Sequence, residues 1–297
     1  MENIKSYVSI KKENEDLESI LDEMYSHESS IKKLYDIGFN DEIIKANAIK
    51  LYDFVLCDFH CSKCKGINKC SKEPSFISTK INIINGEIIE DVEHCKQLTK
   101  HLLLKEIFNI HDFPGEWLNN SIKNIDKTGP RLKAFTIFND YLKNNIFNWI
   151  YLYGGHNNGK SYFAATLAVE YAKAKKKSVA YLDAEIRFNE YNFLYHTNKK
   201  EFDDVLYRYA TCDLLVIDNF GLENKSDVIR DQFLLNLLKS RDADKLLTIF
   251  VSTYKISDII DMYNKSRFAQ DKAIKIGKLI AKNTHGEINL GSLPIYQ

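Results

Sequence analysis

The chain has 297 residues, 44% of them hydrophobic and 28% charged, enough to bury a substantial core in one large domain or two smaller ones. Lysine plus arginine equals aspartate plus glutamate at 41 each, which excludes a global basic field, so contact with nucleic acid has to come from a local patch. No apolar run approaches the roughly 18 residues of a membrane span, and the opening MENIKSYVSIKKENEDLE is too charged for a signal peptide. A cytoplasmic protein without membrane contact is expected, in which the six cysteines serve metal binding or stand as buried thiols rather than disulfides.

From Glu13 to Tyr52 the pattern is that of short helices. Leu17, Ile20, Leu21, Met24 and Tyr25 share one helical face, Ile31, Leu34 and Tyr35 begin a second stripe, and Ile43, Ile44 and Ile49 a third. Such stripes pack a small bundle, although a partner-docking face would read the same. Cys61 and Cys64 then form a C-x-x-C pair, Cys70 follows a turn containing Gly66, and Cys95 returns at the start of a later helix. Four thiolates suit tetrahedral zinc with no open position, a structural site. Cys57, His60, His94 and His101 are alternative ligands nearby. Between them, residues 81–89 predict a β-hairpin turning at Asn85-Gly86. Cys212, alone before an apolar strand, reads as a small buried hydrophobe.

After a helix over 94–108, residues 109–130 carry two of the four prolines and lose apolar periodicity, which predicts a linker between domains at 1–108 and 131–297. Leu132, Phe135, Phe138 and Leu142 restore a helical stripe, and Trp149 to Tyr153 read as a buried strand. Gly154-Gly155-His156-Asn157-Asn158-Gly159-Lys160-Ser161 fits G-x-x-x-x-G-K-[ST] without a mismatch, and a helix follows from Tyr162. A strand, a glycine-bounded loop and a helix N-terminus make a phosphate cradle for ATP. Loop N–H groups face the anion, Lys160 reaches the outer phosphates and the Ser161 hydroxyl serves Mg2+. Downstream, strands at 178–182, 214–217 and 246–251 alternate with helices, which predicts an α/β fold with a mainly parallel sheet and helices on both faces. Nucleotide then belongs at the carboxyl ends of the strands. Asp218, ending one of them, is the second magnesium ligand opposite Ser161.

The P-loop, the LLVIDNFGLE segment with the IRDQ after it, the strand ending at Ser252-Thr253, and the cysteine-bearing N-terminal part together resemble the bacterial DnaI/DnaC-type replicative helicase loaders, and the DnaI branch in particular. The resemblance spans nearly the whole chain. It implies a small helical zinc-binding domain that binds the hexameric replicative DNA helicase, ahead of an AAA+ ATPase domain that binds ATP and single-stranded DNA, for primosome assembly. It also implies self-association on the helicase ring, with Arg267 after the sensor strand as an arginine finger toward a neighbour's γ-phosphate. The chain departs from the family pattern in places. Asn219 stands where members carry a second acid after the magnesium-binding aspartate, which implies slow hydrolysis unless Glu223 substitutes. Thr253 replaces the common sensor asparagine, and Cys70 serves as a zinc ligand where members can use histidine.

For DNA, residues 183–209 mix Arg187, Lys199, Lys200 and Arg208 with Phe188, Tyr191, Phe193 and Tyr195, suited to backbone neutralisation and base stacking. An amphipathic helix with a solvated face has the same composition. Two other classes share these features: a transposase-helper ATPase, in which the cysteine module would be out of place, and an ATP-binding adaptor with little hydrolysis, toward which Asn219 points.

Overall fold

The structure, a computed structural model, describes residues 17–72, 75–84, 87–264 and 267–291. The chain divides between Leu102 and Leu103 into two units. In the first, α1 (Leu17–Ser26), α2 (Glu28–Asp36), α3 (Asp41–Ala46) and α4 (Ala48–Ser62) are followed by the antiparallel pair β1 (Ile77–Ile84) and β2 (Glu87–His94). The first two stripes bury Ile20, Met24, Ile31 and Leu34. The third does so only through Ile44, because Ile43 and Ile49 are 37% and 50% exposed, and α4 fills the bundle with Leu51 and Val55 instead. The expected hairpin is present, its strands paired out to Ile84 opposite Glu87, while Asn85 and Gly86 lie outside the described residues.

The second unit begins within α5 (Lys96–Ile107). The predicted linker is not one: β3 (Phe108–His111) runs parallel to β5 (Val179–Asp183) as an edge strand, and Phe113 and Leu118 are buried in the core. Residues 115–119 and 122–124 form single 3-10 turns, so aromatic anchors rather than a periodic stripe hold this stretch down. Then come α6 (Gly129–Asn144), β4 (Trp149–Tyr153), α7 (Lys160–Lys175), β5, α8 (Ala184–Thr197), α9 (Lys199–Thr211) and β6 (Leu214–Phe220). A π turn over Ile229–Leu234 leads into α10 (Leu235–Ala243), and β7 (Leu247–Ser252), α11 (Ile256–Tyr263), α12 (Arg267–Asn283) and β8 (Thr284–Asn289) complete the unit.

The six strands lie in the order β3-β5-β6-β7-β4-β8, and every described pairing is parallel. Parallel strands have both faces covered, which is why β4, β6 and β7 read as mostly apolar runs. Along β4 alternate residues enter opposite cores, Trp149 and Tyr151 one, Ile150 and Leu152 the other. The expected α/β fold with helices on both faces is therefore present. Because β7 lies between β4 and β6, the residue after β7 sits between the phosphate loop and Asp218. Among the described residues no helix is long and apolar enough to cross a membrane.

Candidate nucleotide site

The loop from Gly154 to Gly159 joins β4 to the N-terminus of α7, with Asn157 and Gly159 in the left-handed region at φ 57° and 76°. At Gly154 a side chain is excluded, since a Cβ would stand 2.5 Å from the Gly291 carbonyl oxygen. That carbonyl, just beyond β8, accepts the Gly155 N–H at 2.9 Å and the Asn158 side-chain amide at 2.6 Å. Arg131, near the start of α6, donates to the Asn158 carbonyl at 2.7 Å. Strand pairing and these bonds fix the loop from both sides.

Lys160 is buried and donates to the carbonyls of Gly154 and Gly155 and to Asn158 Oδ1. Burial lowers its pKa, against the pull of Asp218. Its described partners are neutral, so it has positive charge to spare for a phosphate. Ser161 Oγ donates to Asp218 Oδ1 at 3.1 Å, bringing together the two residues expected to hold magnesium. Asp218 also accepts from the buried Tyr181 hydroxyl at 2.6 Å and from the Asn219 N–H at 2.8 Å; burial is the largest influence on its pKa, which is raised. A carboxylate in this position benefits from a cation, and hard oxygen donors are what Mg2+ takes.

Ser252 is committed to structure, donating to the Phe220 carbonyl and accepting from the Tyr254 N–H. Thr253 differs: its buried hydroxyl has no hydrogen-bond partner among the described residues. It lines one cleft with His156, Asn157, Lys160, Ser161, Tyr162 and Asn219. A buried hydroxyl beside the cleft, without a described partner, fits a polar ligand such as a terminal phosphate.

Several expectations need correction. Glu223, offered as a substitute acid, is buried, accepts from the Tyr263 hydroxyl at 2.6 Å and the Gly221 N–H at 2.6 Å, and pairs with Lys225. It clasps the loop after β6 and does not line the cleft. In the segment expected to meet DNA, Phe188 and Tyr191 are core residues, Tyr191 bonded to Tyr209, and Tyr195 packs on Phe202. Arg187 grips Asp112 and Glu190, and Lys199 pairs with Asp203, leaving Phe193, Lys200 and Arg208 exposed. Arg267 opens α12, but its side chain lies outside the described residues.

The described residues do not bring the expected zinc ligands together. Among the described residues no three His, Cys, Asp or Glu side chains converge to hold a metal. Among the described residues Cys61, Cys64, Cys70 and Cys95 do not converge, and Cys70 meets the backbone of Phe76 and Lys72. Cys64 Sγ accepts from the Gly66 N–H and Cys95 Sγ from the Leu98 N–H. The thiol nearest Cys61 is Cys57, at 4.0 Å, whose sulfur also takes the Lys72 ammonium at 2.8 Å. Cys212 is buried as expected, against Arg241.

Sequence reasoning missed the cleft's second wall. Glu116, Trp117, Asn120, Asn124, Ile125 and Asp126, all from the presumed linker, face the phosphate loop. Trp117 meets Tyr162 edge-on at 5.4 Å, and buried Asn120 bonds Thr166 of α7. The aromatic residues Phe113 and Trp117 were the available signal, since a solvated linker has little use for them.

No family model matches the chain. Its similarity to known proteins is nonetheless extensive. It is 23% identical to the replicative helicase loader DnaI of Bacillus subtilis over 263 residues, covering 82% of this chain and 81% of that protein. The chain resembles the DnaI-type helicase loaders. The crystal structure of a DnaI superposes with a TM-score of 0.52 at 22% identity, covering 60% of this chain and 95% of that one. A primosome component from Streptococcus pyogenes serotype M3 gives 0.50 at 22%, covering 65% and 97%. These likenesses bear out a DnaI-like α/β fold.

Proposed function

We propose that this chain is an ATP-dependent loader that binds a replicative DNA helicase and places it on single-stranded DNA. The observation that carries the catalytic half is the 3.1 Å approach of Ser161 to Asp218 beside Lys160 and the Thr253 hydroxyl, unpartnered among the described residues. The loader half is supported by similarity to a replicative helicase loader along most of both chains.

In this reading the loop from Gly154 to Gly159 and the start of α7 bind the phosphates, Lys160 and Thr253 meet the outer ones, and Asn219 orients water. Magnesium, held by Ser161 and Asp218, would neutralise charge between the β- and γ-phosphates. Asn219 cannot take a proton, so turnover is slow. The first unit binds the helicase, loaders associate around its ring, and Arg267 supplies a finger to the neighbouring subunit. The protein works in the cytoplasm.

The test is a pull-down of the replicative helicase by the full chain, with and without ATP, beside titration of a fluorescent ATP analogue. Nucleotide binding without helicase capture would favour an ATPase of another role. Helicase capture without nucleotide binding would favour an adaptor.

A further inference from the structure

Asn219 follows the magnesium-binding aspartate with a left-handed backbone, φ 53°, a conformation asparagine tolerates better than most residues. Its side chain crosses to β5, where Asp183 pairs in register with Asp218, and Nδ2 donates to Asp183 Oδ2 at 2.8 Å. The carboxylate is itself fixed. Its other oxygen caps α8 by accepting the Ile186 N–H at 3.3 Å, and the Asp183 N–H donates to Asp112, which Arg187 grips through two nitrogens. An ionised carboxylate only accepts hydrogen bonds, so the amide must turn its NH2 group toward Asp183. Its carbonyl oxygen is then the atom left for the cleft that Asn219 lines.

We infer that Asp183 is a positioning residue for ATP hydrolysis: it turns Asn219 so that Oδ1, and not the NH2 group, receives the attacking water. This rests on the ATPase reading above. In the step itself the water oxygen bonds to the γ-phosphorus as the bond from that phosphorus to the β,γ-bridging oxygen breaks. The electron pair leaves on ADP, and a water proton passes to a phosphate oxygen. Asn219 Oδ1 accepts a hydrogen bond from the water and takes no proton.

The isosteric exchange of the two residues tests this in the full chain. In Asp183→Asn the side-chain oxygen still caps α8, so an NH2 group faces Asn219, which must reverse and present its own NH2 to the cleft. Hydrolysis should fall about tenfold, the loss of one aligned hydrogen bond, while ADP affinity stays within about twofold. Asn219→Asp alone sets two carboxylates against each other and should not exceed the wild-type rate. Combining Asp183→Asn with Asn219→Asp restores a donor facing an acceptor and puts a carboxylate at the water, so the pair should exceed wild type by roughly tenfold or more. Affinity for ADP with aluminium fluoride should follow the same order. A wild-type rate in Asp183→Asn, or an exchanged pair no faster than Asn219→Asp alone, overturns the positioning role and leaves the nucleotide site standing. Failure of the wild-type chain to bind ADP overturns both.

Discussion

The two units carry comparable sets of polar side chains and use them in opposite ways. In the larger unit Lys160, Ser161, Asp218, Asn219 and Thr253 come from three separate stretches and meet at the carboxyl edge of one sheet. Among the described residues of the smaller unit five cysteines within 40 residues of sequence are not drawn into a common site, and each described sulfur contact is to a near neighbour, to Lys72 or to the adjoining hairpin. Proximity in sequence is therefore a poor guide to convergence. A parallel sheet gathers strand ends whatever their separation, whereas a short helix followed by a turn points neighbouring side chains in different directions.

The contrast can be broken most strongly from the core of the smaller unit. Leu51→Ala removes a fully buried side chain and should cost that unit roughly 2–5 kcal/mol, leaving nucleotide affinity unchanged. Urea titration followed in parallel with a fluorescent ATP analogue would expose any coupling between the halves. Lys160→Ala acts the other way: it should weaken ATP binding about a hundredfold, the worth of a charge-assisted hydrogen bond network, without altering the unfolding of residues 17–102. Retained affinity would refute the phosphate loop as the binding element.

Glu223→Gln sharpens the division within the larger unit between residues that react and residues that hold. The amide can accept from only one of Tyr263 and Gly221 through its single oxygen, so about 1–3 kcal/mol of stability should be lost. A calorimetric melt reads that loss, and a drop in kcat at unchanged stability would instead restore Glu223 to the chemistry. Smallest of all is Cys64→Ser. Its thiol is exposed, and the change should move the melting curve by no more than about 0.5 kcal/mol. Unfolding accompanied by release of zinc would show that the cysteines act together after all.

What the sequence disclosed followed the same physics. The phosphate loop was legible because its chemistry lies in eight consecutive residues whose backbone geometry is imposed by Gly154 and Gly159. The central strands were legible because burial on both faces leaves a mostly apolar run. The edge strands β3 and β8 were not, being short and half-covered, with Ile288 and Leu290 the main apolar signal at the second. Nor was the pairing of Asn219 with Asp183, which depends on strand register between residues 36 positions apart. Phe188 and Tyr191 looked like part of a stacking platform and became core while Phe193 stayed exposed, since a short motif does not reveal which face of a helix is covered.

The grip of the Gly291 carbonyl on the phosphate loop sets an order of events at the ribosome. Gly154, Gly155 and Asn158 all lean on a backbone group made more than 130 residues later than themselves. The smaller unit, with its hydrophobic core drawn from within residues 20–88, is synthesised in full long before that. At usual elongation rates of ~5–20 residues per second, roughly 190 residues separate the end of one unit from the closing contact of the other, on the order of 10–40 s. During that interval the nascent chain presents a finished first unit and an unfinished nucleotide cradle. The core of the first unit can close before the Gly291 contacts of the phosphate loop can form.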